Sequence, residues 1–273
     1  MLEWLGERGE QKTLSSTTVA DIDAYVQWRV SSLKRRSLKR ASIKKIIVHL
    51  RSLLRYLHGA GRIPDLASAV IGPKLYAFEG IPSALQAEEI KKVLHFVRQD
   101  RSPIGPRDYA ILSLLSTYGL RAGEITGLRL EDIDWAHDRL RIRHSKTGAH
   151  SELPLLRMPG EAILDYLRKG RPKTARREVF LRAYAPYLAF RCGSGLYTSL
   201  ALRLKAAGVT PRGKKGPHAF RHAIAASLLR SAVPLKVIGD VLAHRSARST
   251  MAYLKLDSNE LRGIALEIPR ALP

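Results

Sequence analysis

Apolar positions recur at helical spacing along most of the chain and switch once to strand spacing. Val19, Ile22, Tyr25, Val26 and Val30 repeat at three- and four-residue intervals. This predicts a helix to about Ser31, capped by Thr17 or Thr18, with Asp21 and Asp23 in its first turns. A longer stripe, Ile43, Ile46, Ile47, Leu50, Leu53, Leu54 and Leu57, predicts a second helix that Gly59 and Gly61 stop. Residues 71–82, IGPKLYAFEGIP, have two prolines, two glycines and no helical period, as a linker would. Helical spacing resumes in SALQAEEI from Ser83, continues over 107–118 to a break at Gly119, and restarts briefly at Ala122. Over 132–155 the period falls to two at Leu140 and Ile142, with turn formers around Gly148, which predicts a small antiparallel sheet. Further helices are expected at 158–169, 194–208, 217–230, 234–242, 246–255 and 257–267, with a short apolar piece at Val179 to Leu181. The opening, Leu2 to Gly9, reads as one amphipathic turn, and there is no internal repeat. The fold class is therefore mainly α with a small antiparallel β-sheet (α+β). A helical domain at 1–75 and a linker at 76–82 precede a larger domain at 83–273.

Charge gives this frame a partner. The 273 residues carry a formal charge of +23, and a chain this basic calls for a polyanion, because each Lys or Arg set on a phosphate releases a condensed counterion. Between Arg29 and Arg55 there are ten Lys or Arg and no acidic residue. Solvated helix faces ordinarily mix signs, so Arg29, Lys34, Arg35, Arg36, Lys39, Arg40, Lys44, Lys45 and Arg51 are candidate DNA-binding residues on a phosphate-facing surface. No apolar run is long enough to span a bilayer and no signal peptide opens the chain, so the expectation is a cytoplasmic protein with no membrane partner. Cys192 stands alone, which excludes an intramolecular disulfide and a cysteine-based zinc site and leaves a buried thiol as the plain reading.

The unusual residues fall in five short segments: GLRAGE (Arg121, Glu124), HSKTG (Lys146), HAFRH (His218, Arg221), LAHRS (His244) and MAYLK (Tyr253). Each alone is weak, since a single arginine, lysine or tyrosine is usually surface or packing. In this order and spacing, on a basic chain, they resemble the tyrosine recombinases, the phage integrase and Xer family. The resemblance covers most of the chain from Ser83 onward, and the N-terminal unit is similar to the family's helical core-DNA-binding (SAM-like) domain.

The resemblance implies a tyrosine-recombinase catalytic domain with a C-terminal helix, acting on double-stranded DNA held between the two domains. It implies a site-specific DNA recombinase or integrase that cleaves and rejoins strands through a 3′-phosphotyrosyl link. It also implies a homotetramer on paired sites, formed by exchange of C-terminal segments such as 258–269. Lys146, near the tip of its hairpin, would protonate the leaving 5′ oxygen.

The chemistry fits the residue types independently. In-line displacement at a phosphodiester builds charge on two nonbridging oxygens, and two guanidinium forks, Arg121 and Arg221, each meet such charge bidentately. His218 and His244 add donors that titrate near neutral pH. A tyrosine phenol, Tyr253, holds the phosphoryl group covalently and leaves again when a sugar hydroxyl attacks, so bond energy is conserved without ATP. Its free pKa near 10 means that it needs help to lose its proton. Glu124, one turn after Arg121, is expected to hold that helix and its network. His144 and His222 read as structural. No cofactor and no metal are implied, because a His, Arg and Lys set repels a divalent cation and no carboxylate cluster offers ligands.

Two departures stand out. Ala243 replaces the small glycine that the family has before the second histidine, and the expectation is of no separate arm-type DNA-binding domain ahead of the helical unit. The alternatives are a type IB topoisomerase with the same residue types, a DNA-binding regulator that lost activity, and a nonspecific basic RNA- or membrane-binding protein.

Overall fold

The computed structural model describes residues 14–32, 38, 40–75, 84–144, 148–190, 193–211 and 215–243. The turn expected at 2–9, the linker residues 76–82, Cys192 and the helices expected at 246–255 and 257–267 lie outside them. The chain divides into two compact units, Met1–Glu79 and Gly80–Pro273.

The first unit is helical over its described residues. After a 3-10 turn at Leu14–Ser16 come α1 (Val19–Ser32) and α2 (Arg40–Gly59). Of the two cap candidates Thr18 serves: its backbone N–H and its hydroxyl both donate to Asp21 Oδ2, at 2.9 and 2.7 Å, which satisfies orphan groups of the first turn. Ile22 from α1 and Ile47, Leu50 and Leu54 from α2 close on Ile63, Leu66, Ala67 and Val70. The last four belong to an irregular segment for which no period could speak.

The second unit is built around α4 (Ile104–Tyr118), whose Ile111, Leu112, Leu114 and Leu115 are almost fully buried. It packs against α3 (Ala87–Arg98), α6 (Arg157–Lys169) and α8 (Pro217–Arg230). Helix α4 starts three residues before the expected Arg107, because Pro106 falls in the first turn, where a missing N–H costs nothing. Gln86 rather than Ser83 precedes α3, with its backbone N–H on Glu89 Oε2 at 2.8 Å.

The sheet is three antiparallel strands in the order β1 (Ile133–Asp134), β2 (Arg139–Arg143) and β3 (His150–Pro154). Leu140 pairs with Leu153 and Ile142 with Ser151. Leu140 and Ile142 point inward, as their alternation predicts. Val179, Phe180 and Leu181 are fully buried, with Phe180 stacked on Tyr166 of α6 at 5.6 Å. The remaining helices are α5 (Ala122–Thr126), α7 (Gly193–Ala206) and α9 (Leu235–Val241), the last docking on α8 through Ile238, Leu242 and Ala225.

A charged network joins α4 to α7 in this core. Asp108 Oδ1 accepts from Arg107 Nε and Nη2 at 3.0 and 2.8 Å, and Oδ2 accepts from Ser199 Oγ and Arg203 Nε at 3.1 and 2.8 Å. A carboxylate this buried is tolerable because every lone-pair direction has a donor.

Candidate functional site

Gly119 ends α4 in the left-handed region, at φ +63°, where glycine carries no Cβ penalty. A Cβ here would also lie 3.3 Å from a methyl of Leu242 and 3.5 Å from the Cα of Arg221, a close fit that adds little to the backbone's own preference for glycine. The tight turn lets α8 approach, and Arg221 Nη1 donates to the Gly119 carbonyl at 2.9 Å. Its Nη2 donates to the Leu242 carbonyl, at the end of α9. Arg221 is only 4% exposed, deep for a guanidinium, and these carbonyls compensate part of its desolvation.

Arg121 follows two residues after Gly119 and precedes α5. Its backbone N–H donates to Glu124 Oε2 at 2.7 Å and its Nη1 to Glu124 Oε1 at 2.8 Å, so one carboxylate both caps the short helix and orients the guanidinium. Arg121 Nη2 donates to the Ala243 carbonyl at 2.9 Å. The two arginines are a hundred positions apart in the chain, yet both end on the main chain of Leu242 and Ala243, directly before His244. Ala243 itself takes the left-handed conformation, φ +47°, which a glycine would adopt more freely.

Glu124 is buried, which opposes its charge. Hydrogen bonds from the Arg121 backbone, His144 and the Arg121 guanidinium outweigh that and hold its carboxyl below the usual range. His144, which reads as structural in the sequence, belongs to this network: Nδ1 is 2.8 Å from Glu124 Oε1 and Nε2 is 2.8 Å from Ser151 Oγ. The signal was present in the alternation, since 140, 142 and 144 share one parity. Beside this network a cavity of about 160 Å³ is lined by Glu124, His144, Ser151, Arg221 and Ala243.

His218 is exposed in the first turn of α8, with its ring 6.2 Å from that of His222 one turn on, and lies on the same helix as Arg221. Gly216, just before α8, meets the ring of Tyr197, whose hydroxyl accepts the Lys215 backbone N–H at 2.9 Å. Lys146, His244 and Tyr253 lie outside the described residues. So do Lys34, Arg35, Arg36 and Lys39 of the candidate basic surface. Arg29, Arg40, Lys44 and Lys45 are exposed in the first unit, whereas Arg51 is half-buried and donates through Nε to the Ala67 carbonyl at 3.1 Å. Among the described residues no three His, Cys, Asp or Glu side chains gather as a metal site, and no helix is long and apolar enough to cross a membrane.

Comparison with known proteins gives this geometry its context. The model of the phage integrase family matches residues 83–260. The integrase/recombinase named y4gC of Sinorhizobium fredii is 55% identical over 189 residues, covering 69% of this chain and 97% of the relative. A second from that organism, y4rA, is 40% identical over 260 residues, covering 94% of this chain, which spans 61% of that relative's length. Tyrosine recombinase XerD of Mycobacterium tuberculosis is 30% identical over 237 residues, 84% of this chain and 74% of its own.

Among solved structures, the XerH site-specific recombinase bound to a palindromic difH substrate superposes with a TM-score of 0.73 at 17% identity, over 90% of this chain and 71% of that one. A lambda integrase dimer bound to a core site gives 0.68 at 19% identity, over 99% and 89%. These two likenesses speak for the fold. With a family model over more than half its length and close relatives named as recombinases, the chain belongs to the phage integrase family, the tyrosine recombinases.

Proposed function

We propose that this recombinase cuts and rejoins duplex DNA at a specific site through a covalent bond from Tyr253 to a 3′ phosphate, using neither metal nor ATP. The observation that carries the reading is the convergence of Arg121 and Arg221 on the two residues before His244. Arg221 and the Nη2 of Arg121 hold neutral carbonyls, and a scissile phosphate would offer them anionic oxygens, which bind roughly twice as strongly. In the proposed reaction the Tyr253 oxygen attacks phosphorus and the bond to the 5′ oxygen breaks. Lys146 gives the leaving oxygen its proton, and the phenol proton passes to a neighbouring base, with His218 and His244 serving as donors and acceptors around the phosphoryl group. Arg121 and Arg221 neutralise the nonbridging oxygens, each worth about 100- to 1000-fold in rate by comparison with other preorganised donors. Religation is the reverse, with a new 5′ hydroxyl attacking and tyrosine leaving.

Residues 1–75 would supply a DNA-binding domain, through Arg29, Arg40, Lys44 and Lys45 on its exposed surface together with the basic residues at 34–36 and 39. The assembly would be a homotetramer on paired sites, working in the cytoplasm. The experiment is a suicide substrate: a nicked duplex carrying a core site selected from random sequence, incubated with the protein in chelator. A denaturant-resistant protein–DNA adduct is expected and should vanish in Tyr253→Phe. No adduct on any selected site, or an undiminished adduct in Tyr253→Phe, would overturn the reading.

A further inference from the structure

His144 is a buried ring between two elements that the family motifs name only separately, the Arg121–Glu124 turn and the β2–β3 hairpin. Its roles follow from its partners. Glu124 is held in its ionised form, and a carboxylate only accepts, so Nδ1 carries a proton and donates to Oε1. The same Oε1 accepts from Arg121 Nη1. Nε2 meets Ser151 Oγ, and Ser151 pairs with Ile142 across the hairpin. The ring thus fixes one oxygen of the carboxylate that aims Arg121, and refers it to the sheet.

The backbone of residue 144 is engaged separately: its N–H donates to the Ala149 carbonyl and its carbonyl accepts from Gly148, both at 2.9 Å. A side-chain substitution therefore removes the bridge without cutting the hairpin's own closure. Neither an aliphatic residue nor a single amide at this place reaches both partners.

We propose that His144 is a positioning residue for strand cleavage, holding Glu124 so that the Arg121 guanidinium faces the scissile phosphate. This rests on the recombinase reading above. The test compares single-turnover cleavage of the nicked core-site duplex with that of a duplex whose scissile phosphate is a methylphosphonate. Replacing one nonbridging oxygen by methyl removes the charge that Arg121 would neutralise, so a defect acting through Arg121 must shrink on that substrate.

His144→Ala is expected to cleave the phosphodiester about 10- to 100-fold more slowly with unchanged DNA affinity, the usual cost of losing a supporting hydrogen bond. On the methylphosphonate the deficit should fall to about threefold or less. His144→Asn, whose amide nitrogen stands where Nδ1 stood, should keep most of the rate, and His144→Gln, which reaches only toward Ser151, should behave like His144→Ala. If His144→Ala does not fold, Ser151→Ala carries the same comparison and should show a smaller deficit that also vanishes on the methylphosphonate. Equal deficits on both substrates, full speed in His144→Ala, or a His144→Asn as slow as His144→Ala would overturn the proposal. If wild type forms no adduct, the recombinase reading itself fails. If wild type cleaves and Arg121→Ala shows the substrate-dependent deficit while His144→Ala does not, only the role of His144 fails.

Discussion

Replacing Gly216 with alanine asks whether one missing Cβ sets the start of α8 and with it the place of His218. The backbone gives no reason for glycine, since φ −170° and ψ −162° are extended values open to any residue. Space does. An added Cβ would lie 2.4 Å from two ring carbons of Tyr197 and 2.9 Å from a third, whereas carbon atoms settle near 3.5–4.0 Å. The ring or the helix start must therefore move by more than about 1 Å. If the ring moves, its hydroxyl leaves the Lys215 N–H that it accepts at 2.9 Å.

Overpacking of this kind costs about 1–3 kcal/mol and the hydrogen bond about 1 kcal/mol, so about 2–4 kcal/mol in sum is expected. In a unit of this size that lowers the melting temperature by about 4–16 °C. Circular-dichroism melting of Gly216→Ala, Tyr197→Ala and the double variant measures it. If the clash is the cause, the glycine substitution costs less than about 0.5 kcal/mol once the ring is gone, a coupling of at least about 1 kcal/mol. Adduct formation by the single variant should slow about 10- to 100-fold, since displacements near 1 Å are expensive for positioned groups. A Gly216→Ala protein melting within about 1 °C of its parent, or a cost that persists without Tyr197, would refute the argument.

Two further outcomes follow from buried charges. Asp108→Ala should destabilise by about 3–5 kcal/mol, because it leaves the buried Arg107 guanidinium without its carboxylate and with the Leu181 carbonyl as its remaining hydrogen-bond acceptor, and urea denaturation will show it as a lower midpoint. Glu124→Gln should cost about 1.5–3 kcal/mol near neutral pH by weakening charge-assisted bonds to Arg121 and His144. Because the folded carboxyl is held below its ordinary 4.5, that contribution is complete above the unfolded pKa and fades as pH falls through the lowered folded one. The stability gap between wild type and Glu124→Gln should therefore be widest near neutral pH and close in acid, and a gap that widened in acid would contradict the assignment.

Much of this was legible in the chain, and the legible part is the periodic part. The stripe from Ile43 to Leu57, in which Leu53 alone is exposed, and the alternation at Leu140 and Ile142 each report one inward face, so helix and sheet follow. Ile63, Leu66, Ala67 and Val70 complete the first core from an irregular segment, where no repeat exists to be read. The Asp108 network is equally silent, because Arg203 lies 95 residues away and only folding brings it near. Arg121, Glu124 and Arg221 were legible as residue types in order, but the carbonyls that they hold were not. His144 reads only as structural in the sequence, because a lone histidine beside a turn carries no weight until folding sets Glu124 against it.

The hold of Arg121 and Arg221 on the Leu242 and Ala243 carbonyls also determines what mutagenesis of this pair will measure. The same two side chains proposed to greet the phosphate are fasteners for the main chain leading to His244. An alanine at either place removes a charge and unfastens that strand of backbone in one stroke, so the lost activity cannot be credited to charge alone. Lysine at 121 or 221 keeps the charge but loses the planar fork that reaches two acceptors at once, and comparing it with alanine separates the fastener from the charge.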